Sequence, residues 1–223
     1  MIIAHPSLEH TVCIEDGSIN VLVIEHPGML CRYVEELKRQ SHGQSGRFSL
    51  YDGVKCVSLN NIVKVIVDPF ALDLNSKEIL SPIYSKLSAM SNDENHYDNF
   101  ADLSGRIVNF ISDLTLDLGI SMDCDGCSGN ELIKMTSPKL LPLGDTLLER
   151  IVEYLDLSSE FSKVELYVFV NLNTYLSKSE LNDLYQHITY HKINTLFLES
   201  KYEDIICNEH LIIVDYDLCE LYF

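Results

Sequence analysis

The clearest pattern of apolar and polar positions in this chain lies between residues 164 and 200. Residues 164–170 and 193–198 are apolar runs typical of strands that are buried on both faces. Between them, Ser177 and Glu180 have the spacing of a capping box, in which each side chain bonds the other residue's backbone N–H. The apolar residues of the helix that follows fall on one face: Leu181, Leu184, Tyr185 and Ile188. The pattern predicts a strand, a crossover helix and a parallel neighbouring strand.

The first seventy residues predict more strands around one helix. Residues 11–14 and 19–24 are short β-type runs separated by Asp16-Gly17, which predicts a hairpin that feeds the sheet. Residues 48–51 and 62–67 predict two further strands. The helix after Pro27 carries apolar residues at helical spacing: Leu30, Tyr33, Val34 and Leu37. This part of the chain is typical of the first half of an α/β core.

Residues 75–135 lose the strand pattern and take up helical periodicity. One predicted helix starts near Ser76, a second contains Ile107, Phe110, Ile111 and Leu114, and the polar loop 91–99 separates them. The predicted fold class is α/β, with a twisted, mostly parallel sheet, flanking helices and an inserted helical extension. The predicted head domain comprises residues 1–74 and 136–223, and the extension comprises residues 75–135. The sheet core is nucleotide-binding-like but lacks a phosphate loop.

The composition is that of a globular chain. Its 223 residues are 46% hydrophobic, enough for one sizeable core. The chain starts without a basic and apolar leader and has no apolar run of about eighteen residues, so we expect a cytoplasmic protein with no membrane segment. The cysteines are odd in number, which favours mostly reduced core residues over a disulfide framework; they are Cys13, Cys31, Cys56, Cys124, Cys127, Cys207 and Cys219.

The sequence also lacks the motifs of a nucleotide enzyme. Neither a Walker A pattern nor G-x-G-x-x-G follows the strand at residues 19–24, which runs into Glu25-His26-Pro27-Gly28-Met29 without a lysine. Other histidines, such as His5 and His210, have no nucleophile or carboxylate partner at a meaningful spacing. We therefore predict that the protein is not an enzyme, with an α/β phosphotransferase or NTPase as the alternative.

An acidic segment, residues 117–131, is the densest group of polar residues. Asp123, Asp125 and Gly126 resemble the middle of an EF-hand loop, although Ser121 would occupy the first ligand position. Cys124 and Cys127 have the spacing of half a zinc site or of a dithiol pair. No second Cys-x-x-Cys lies at a matching distance, and the His187 and His191 pair lies at the end of the capped helix. Calcium ligands, a thiol site and a metal-free acidic loop all remain open from the residues alone.

Order and spacing of several segments resemble one known family. The segments are VFVN, TYLSKSEL and LFLES between residues 168 and 200, GDTLLERIVEYL at 144–155, NELIKM at 130–135 and LDLNSKEILSPIYSKL at 72–87. Together they resemble the type II-A CRISPR spacer-acquisition ring protein, the Csn-two family, over roughly residues 48–200. The chain after Lys201 matches this family poorly.

The resemblance implies a function that composition alone opposes. With 16 basic and 34 acidic side chains the net charge is −18, which argues against nucleic acid because basic side chains supply most of the affinity for DNA. The family implies a homotetrameric ring whose hole binds double-stranded DNA ends without reading sequence. It further implies partners, the CRISPR integrase subunits and the RNA-guided effector nuclease, in antiviral defence. A pure protein-interaction module remains an alternative that suits the charge.

The same resemblance assigns candidate residues. Family members bind Ca²⁺ at an acidic loop onto which Asp117, Asp123 and Asp125 fall, so these three are the expected metal ligands. Candidate DNA contacts in such a ring are basic residues of the part of the chain that matches the family best, Lys134, Lys139 and Arg150. The basic residues of the first predicted helix are further candidates: Arg32, Lys38 and Arg39. For the helix residues, solvated surface charge is the competing interpretation.

Overall fold

A computed structural model describes residues 1–202 and 209–223, and Cys207 lies outside the described residues. The described chain divides into two compact units. The sheet unit comprises Met1–Asp73 and Pro142–Phe223, and the helical unit comprises Leu74–Leu141. Leu74 and residues 136–141, which the sequence interpretation assigned to the head domain, belong to the helical unit.

Ten strands, six α-helices and two 3-10 helices, Pro69–Ala71 and Leu172–Thr174, make up the described chain. The strands are β1 (Ile2–Ala4), β2 (Val12–Cys13), β3 (Ile19–Ile24), β4 (Ser49–Asp52), β5 (Lys55–Val57), β6 (Val63–Ile66), β7 (Leu166–Val170), β8 (Thr195–Glu199), β9 (Glu209–Val214) and β10 (Glu220–Tyr222). The helices are α1 (Pro27–Ser41), α2 (Lys77–Met90), α3 (Tyr97–Asp117), α4 (Gly129–Thr136), α5 (Leu147–Phe161) and α6 (Lys178–His191).

The main sheet has the order β10-β9-β3-β8-β7-β6 and is mostly parallel, as predicted. Only β10 runs antiparallel to its neighbour among the strands described. Every residue of β3, β7 and β8 is buried, because a central parallel strand is covered on both faces. Val168 of β7 pairs in parallel with Leu196 of β8, and α6 connects these strands. The predicted strand, helix and strand unit is therefore confirmed.

The predicted hairpin at Asp16-Gly17 is wrong. β2 pairs with β1 in a separate antiparallel sheet of order β2-β1-β4-β5, whereas β3 lies in the main sheet between β8 and β9. The turn itself is real, since Gly17 has a φ of +73°. A side chain there would meet the Thr189 carbonyl oxygen at 2.8 Å, so the glycine also lets the turn approach the end of α6. Every residue of β3 is buried, and burial of this kind favours a central position in the parallel sheet over a local hairpin.

Alternate residues of the strands send side chains to the two faces of the main sheet. Leu166 and Val168 pack in one cluster with Tyr33 of α1 and with Leu50 of the small sheet. On the other face, the rings of Phe169 and Phe197 stack with centroids 5.5 Å apart, and Tyr185 of α6 lies 5.0 Å from Phe197. The apolar face of α6 that the sequence predicts is buried there, with Leu181, Leu184 and Ile188. The sheet core is thus closed on both sides.

The helical unit contains α2, α3 and α4, and α2 packs against α4. Ile79 of α2 and Ile133 of α4 are its buried apolar side chains at this contact. The Tyr84 hydroxyl donates a hydrogen bond of 2.7 Å to the Pro138 carbonyl, which ties α2 to the segment after α4. This unit therefore rests on a small core.

The described cysteines are free thiols, but they do not lie in the core. Cys13, Cys31, Cys56 and Cys219 are exposed, and Cys124 and Cys127 are partly exposed. The prediction that they are mostly core residues is wrong for these six. Cys31 illustrates the reason, because it follows the buried Leu30 on α1 and so points away from the buried face of that helix.

Candidate functional site

The carboxyl ends of parallel strands are where α/β folds usually bind nucleotides. Here only Glu25 and His26 connect β3 to α1. The His26 imidazole accepts a hydrogen bond of 3.3 Å from the Met29 N–H, and Pro27 has no N–H to donate. The start of α1 is thus capped by its own chain, at the place where a phosphate loop would present free backbone amides.

A buried acid lies at the same edge of the sheet. Glu199, the last residue of β8, is only 2% exposed and accepts a hydrogen bond of 3.3 Å from the Asn173 N–H. Burial raises the pKa of Glu199 to about 8, although the backbone N–H groups of Asn173 and Leu172 act in the opposite direction. A nearby cleft is lined by Lys201 together with Glu25, Pro27, Ser200, Tyr202 and Tyr216. Lys201 is a cation in this region that the sequence interpretation did not identify.

The six candidate DNA-binding residues divide between the two units. Arg32, Lys38 and Arg39 are exposed on α1 of the sheet unit, where Arg39 Nε donates to Gln44 Oε1 at 3.1 Å. Arg150 lies in the first turn of α5, and its Nε donates to the Thr146 carbonyl at 3.4 Å. Within residues 1–202 and 209–223, none of the six forms a salt bridge with a carboxylate. The other two, Lys134 on α4 and Lys139 after it, are exposed in the helical unit.

On α1 the three basic residues do not form one stripe. Arg32 and Arg39 are seven residues apart and share a face, whereas Lys38 is turned about 100° from Arg39. Glu36 lies one turn after Arg32 and is engaged by Arg47, whose Nη2 is 3.3 Å from its carboxylate. Because Glu36 pairs with Arg47, its carboxylate does not occupy the guanidinium groups of Arg32 and Arg39, which can bind other anions.

The three predicted calcium ligands are exposed in the helical unit. Asp117 is the last residue of α3, and Asp123 and Asp125 lie in the loop before α4. The Asp123 carboxylate accepts a hydrogen bond of 3.0 Å from the Cys124 N–H. Among the residues described, these three carboxylates do not form a group whose ligand atoms all lie within 4.8 Å of one another. The assignment of calcium to them stays a prediction.

Neighbouring residues of this loop have structural roles. Glu131 accepts hydrogen bonds from the Ser128 N–H and hydroxyl at 2.8 and 2.6 Å, as the capping box of α4. The Cys127 N–H donates to the Ser104 hydroxyl oxygen at 3.0 Å, which fixes the end of the loop to α3. Glu131 is therefore committed to the helix start, and the Cys127 thiol donates a hydrogen bond of 3.5 Å to the Ser128 carbonyl.

Among residues 1–202 and 209–223 one group of potential metal ligands does form, and the sequence interpretation missed it. His187 Nε2 lies 2.7 Å from Asp156 Oδ1, and the His187 and His191 rings stack with centroids 4.2 Å apart. Ligand atoms of all three residues lie within 4.8 Å of one another. The spacing of the two histidines was visible in the sequence. The third member was not, because Asp156 belongs to a different helix.

A stripe of apolar side chains on α3 is exposed. Phe110 is 62% exposed and Leu114 is 45% exposed, and Leu103 and Ile111 continue the stripe at helical spacing, with Leu118 directly after the helix. The sequence pattern correctly predicted a helix with an apolar face here. Within the described chain, however, this face is not fully covered, which is typical of an interaction surface.

Comparison with known proteins decides the family. A family model described as CRISPR-associated protein (Cas_Csn2) matches residues 40–218. The chain belongs to the Csn2 family. The match includes the helical unit and most of the sheet unit, and it confirms the resemblance found in the sequence.

The sequence identity to individual Csn2 proteins is about 30% or less. The chain is 30% identical to the CRISPR-associated protein Csn2 of Enterococcus faecalis over 138 residues, which are 61% of this chain and 63% of that protein. It is 28% identical to Csn2 of Streptococcus agalactiae over 138 residues, 61% of this chain and 62% of that protein. The alignments thus span less than two thirds of the length of these relatives.

A solved structure is similar in fold. The crystal structure of Stu0660 of Streptococcus thermophilus matches with a TM-score of 0.64 at 10% identity, covering 96% of this chain and 75% of that chain. Membership of the Csn2 family makes this protein CRISPR-associated and links it to CRISPR defence. Within the described ranges, no helix has both the length and the apolar composition needed to cross a membrane.

Proposed function

We propose that this Csn2-family protein is a non-enzymatic, calcium-stabilised homotetrameric ring that binds the ends of double-stranded DNA during CRISPR spacer acquisition. The observation that carries the proposal is the family match over residues 40–218. The partners that we propose are the CRISPR integrase subunits and the RNA-guided effector nuclease. The following contacts support its separate parts.

DNA binding is supported by the basic side chains that acidic residues do not neutralise. In the described chain the six candidates form no salt bridge, even though the sequence carries a net charge of −18. Five of the six are exposed and Arg150 is partly exposed, and cations of this kind suit contacts to phosphates, which position a duplex without reading its bases. Acidic residues on other surfaces do not prevent this, because a bound duplex senses the local field more than the net charge.

Ring assembly is supported by the apolar stripe of α3. Exposed apolar area of this kind on a helix is stabilised when a second surface excludes water from it. We propose that the stripe of Phe110 and Leu114 contacts another copy of the chain in the ring. Its contribution grows with the apolar area covered, at about 25 cal/mol per Å².

A role without nucleotide hydrolysis is supported by the start of α1. His26 caps the helix N-terminus, and Pro27 removes one of the amides that would bind a phosphate. Lys201 in the neighbouring cleft favours the alternative of a nucleotide site. Calorimetry with ATP and Mg²⁺ separates the two, because our proposal expects no heat of binding and no phosphate release.

Calcium binding is supported by the family resemblance and by the negative charge of the acidic loop. The positions of the three aspartates do not by themselves support it, because their carboxylates are not gathered around one point. Ca²⁺ takes six to eight oxygen ligands from flexible loops. Asp117, Asp123 and Asp125 make no salt bridge to a basic residue in the described chain, so their charges are available to a cation. Carbonyls and water would have to supply the remaining ligands.

The test of the proposal compares linear with covalently closed circular DNA of the same sequence. A ring must thread an end, so we expect binding to the linear form and weak binding to the circle. Affinity should fall by orders of magnitude between about 50 and 200 mM salt. Equal affinity for unnicked circles, or binding that does not respond to salt, contradicts the threading ring.

A double variant and a control test whether α1 contacts the DNA phosphates. Arg32→Gln with Arg39→Gln should lower the slope of log affinity against log salt concentration by about two, since each lost phosphate contact removes roughly 0.9. Lys163→Gln, an exposed lysine of the same unit outside the candidate set, serves as the control. An unchanged slope in the double variant would remove α1 from the DNA interface while leaving the ring proposal to the circle experiment.

A further inference from the structure

We propose that Asp156, His187 and His191 form a binding site for a divalent transition-metal cation of the zinc type. The site joins α5 to α6 in the sheet unit and is separate from the acidic loop of the helical unit. It does not depend on DNA binding or on ring assembly.

The two histidines provide one side of the site. They are four residues apart on α6, so one turn of the helix places both imidazoles on the same face. Their rings lie 4.2 Å apart at an interplanar angle of 26°. Two histidines at this spacing are a common pair of zinc ligands, because both ring nitrogens can turn toward one point.

Asp156 provides the other side from α5. Its Oδ1 is 2.7 Å from His187 Nε2, and one ligand atom of each of the three residues lies within 4.8 Å of the others. Zinc at about 2.0–2.1 Å from each ligand in a tetrahedron requires donor atoms roughly 3.3 Å apart. The observed separations come within side-chain rotation of that value, so the helices need not move.

The donor set selects the cation. Imidazole suits zinc, copper, nickel and iron, whereas calcium prefers oxygen ligands alone. Two neutral imidazoles and one carboxylate give one negative charge against a divalent cation. His191 is exposed, and His187 and Asp156 are partly buried, so the fourth position is open to water or to a ligand from a partner.

The cation acts as a cross-link. Asp156 and His187 already connect α5 with α6 through a hydrogen bond, and a metal replaces this bond with three stronger ones. A ligand that binds the folded chain and not the unfolded chain stabilises the folded form by mass action. We therefore expect added Zn²⁺ to raise the Tm of the sheet unit.

The experiment titrates Zn²⁺ into the reduced, chelator-treated full chain by calorimetry. One cation per chain should bind at this site, and His191→Ala should weaken that binding more than about a hundredfold, since even groups that only orient metal ligands contribute about 10–100-fold. His191 is exposed, so this variant keeps the fold, which circular dichroism checks. Asp183→Asn, an exposed carboxylate one turn before His187 on α6, is the matched control.

A second variant excludes the thiols. Cys124→Ser with Cys127→Ser should keep the Zn²⁺ site, and the Co²⁺ complex of the wild-type chain should show visible ligand-field bands without a thiolate charge-transfer band. Loss of the site in the cysteine variant, or unchanged Zn²⁺ affinity in His191→Ala, overturns the proposal. Absence of any Zn²⁺ binding to the wild-type chain also overturns it.

Discussion

The side-chain amide of Asn75 bonds both backbone polar groups of Leu140. The Leu140 N–H donates to Asn75 Oδ1 at 2.8 Å, and Asn75 Nδ2 donates to the Leu140 carbonyl at 3.1 Å. These residues lie at the two ends of the helical unit, which comprises Leu74–Leu141. One side chain therefore closes the base of the inserted segment.

Replacement of Asn75 by Leu should loosen that base. The variant loses two hydrogen bonds and leaves the Leu140 backbone groups without these partners, at a cost of about 1–3 kcal/mol. Amide exchange at Leu140 should accelerate accordingly. Asn92→Ala is the control, because Asn92 Nδ2 bonds the local Ser88 carbonyl at 3.1 Å. Similar effects of the two variants would show that the Asn75 bridge has no special role.

Charge on the α3 stripe should prevent assembly. Phe110→Asp with Leu114→Asp places two carboxylates on a surface that the proposed ring excludes from water, so we expect monomers where the wild-type chain forms tetramers. Sedimentation velocity measures this directly. Asn109→Asp adds charge to the opposite face of the same helix and should leave the assembly intact. Tetramers formed by the double variant would place the interface elsewhere.

Calcium should act through the acidic loop. Asp123→Asn with Asp125→Asn removes two candidate ligands, so the Ca²⁺ concentration needed for assembly should rise by about tenfold or more. Sedimentation across a Ca²⁺ titration tests the shift. Cys124→Ser with Cys127→Ser changes the residue between the aspartates without removing a carboxylate and should assemble normally. If the cysteine variant dissociates while the aspartate variant assembles, the loop is a thiol site.

Glu199 should make the sheet unit less stable as the pH rises. Its pKa is about 8 in the folded chain, against an ordinary value of 4.5, so between these pH values the folded state holds a proton that the unfolded state has lost. The stabilisation is complete below about pH 4.5 and declines toward pH 8, by at most about 1.4 kcal/mol per pH unit.

The measurement compares unfolding free energies of wild-type chain and Glu199→Gln in urea at pH 5 and pH 8. Glutamine resembles the protonated acid, so the advantage of the variant should grow with pH. Glu165→Gln, at an exposed position just before β7, should show no such growth. A constant difference between Glu199→Gln and wild-type chain at both pH values would mean that Glu199 titrates normally.

Local patterns predicted the elements of the sheet unit well. A strand buried on both faces is a continuous apolar run, and a capping box has a fixed spacing of Ser or Thr and Glu. The strands around α6 and the Ser177 cap were found in this way. The pairing of β2 with β1 was not predicted, because a two-residue turn signal does not specify in which sheet each of the two strands lies. Strand pairing depends on contacts between distant residues, and burial of β3 outweighed its local turn.

Candidate chemistry was harder to predict for the same reason. The acidic loop was conspicuous as a run of residues, yet its carboxylates are not gathered in the folded chain. Asp156 and His187 are separated in sequence and meet only because α5 and α6 pack on the same face of the sheet. Lys201 likewise reaches the cleft beside α1 through the pairing of β3 with β8.

The pairing of β6 with β7 also affects how the chain folds. Val63 pairs with Leu166, so in the sequence the whole helical unit is inserted between two strands that are neighbours in the sheet. Closing so long a loop costs entropy and slows formation of the contact. If the helical unit folds first, the Asn75 bridge to Leu140 shortens the effective loop. During synthesis from the N-terminus this unit is complete before β7 emerges, so the order of translation favours rapid closure of the sheet.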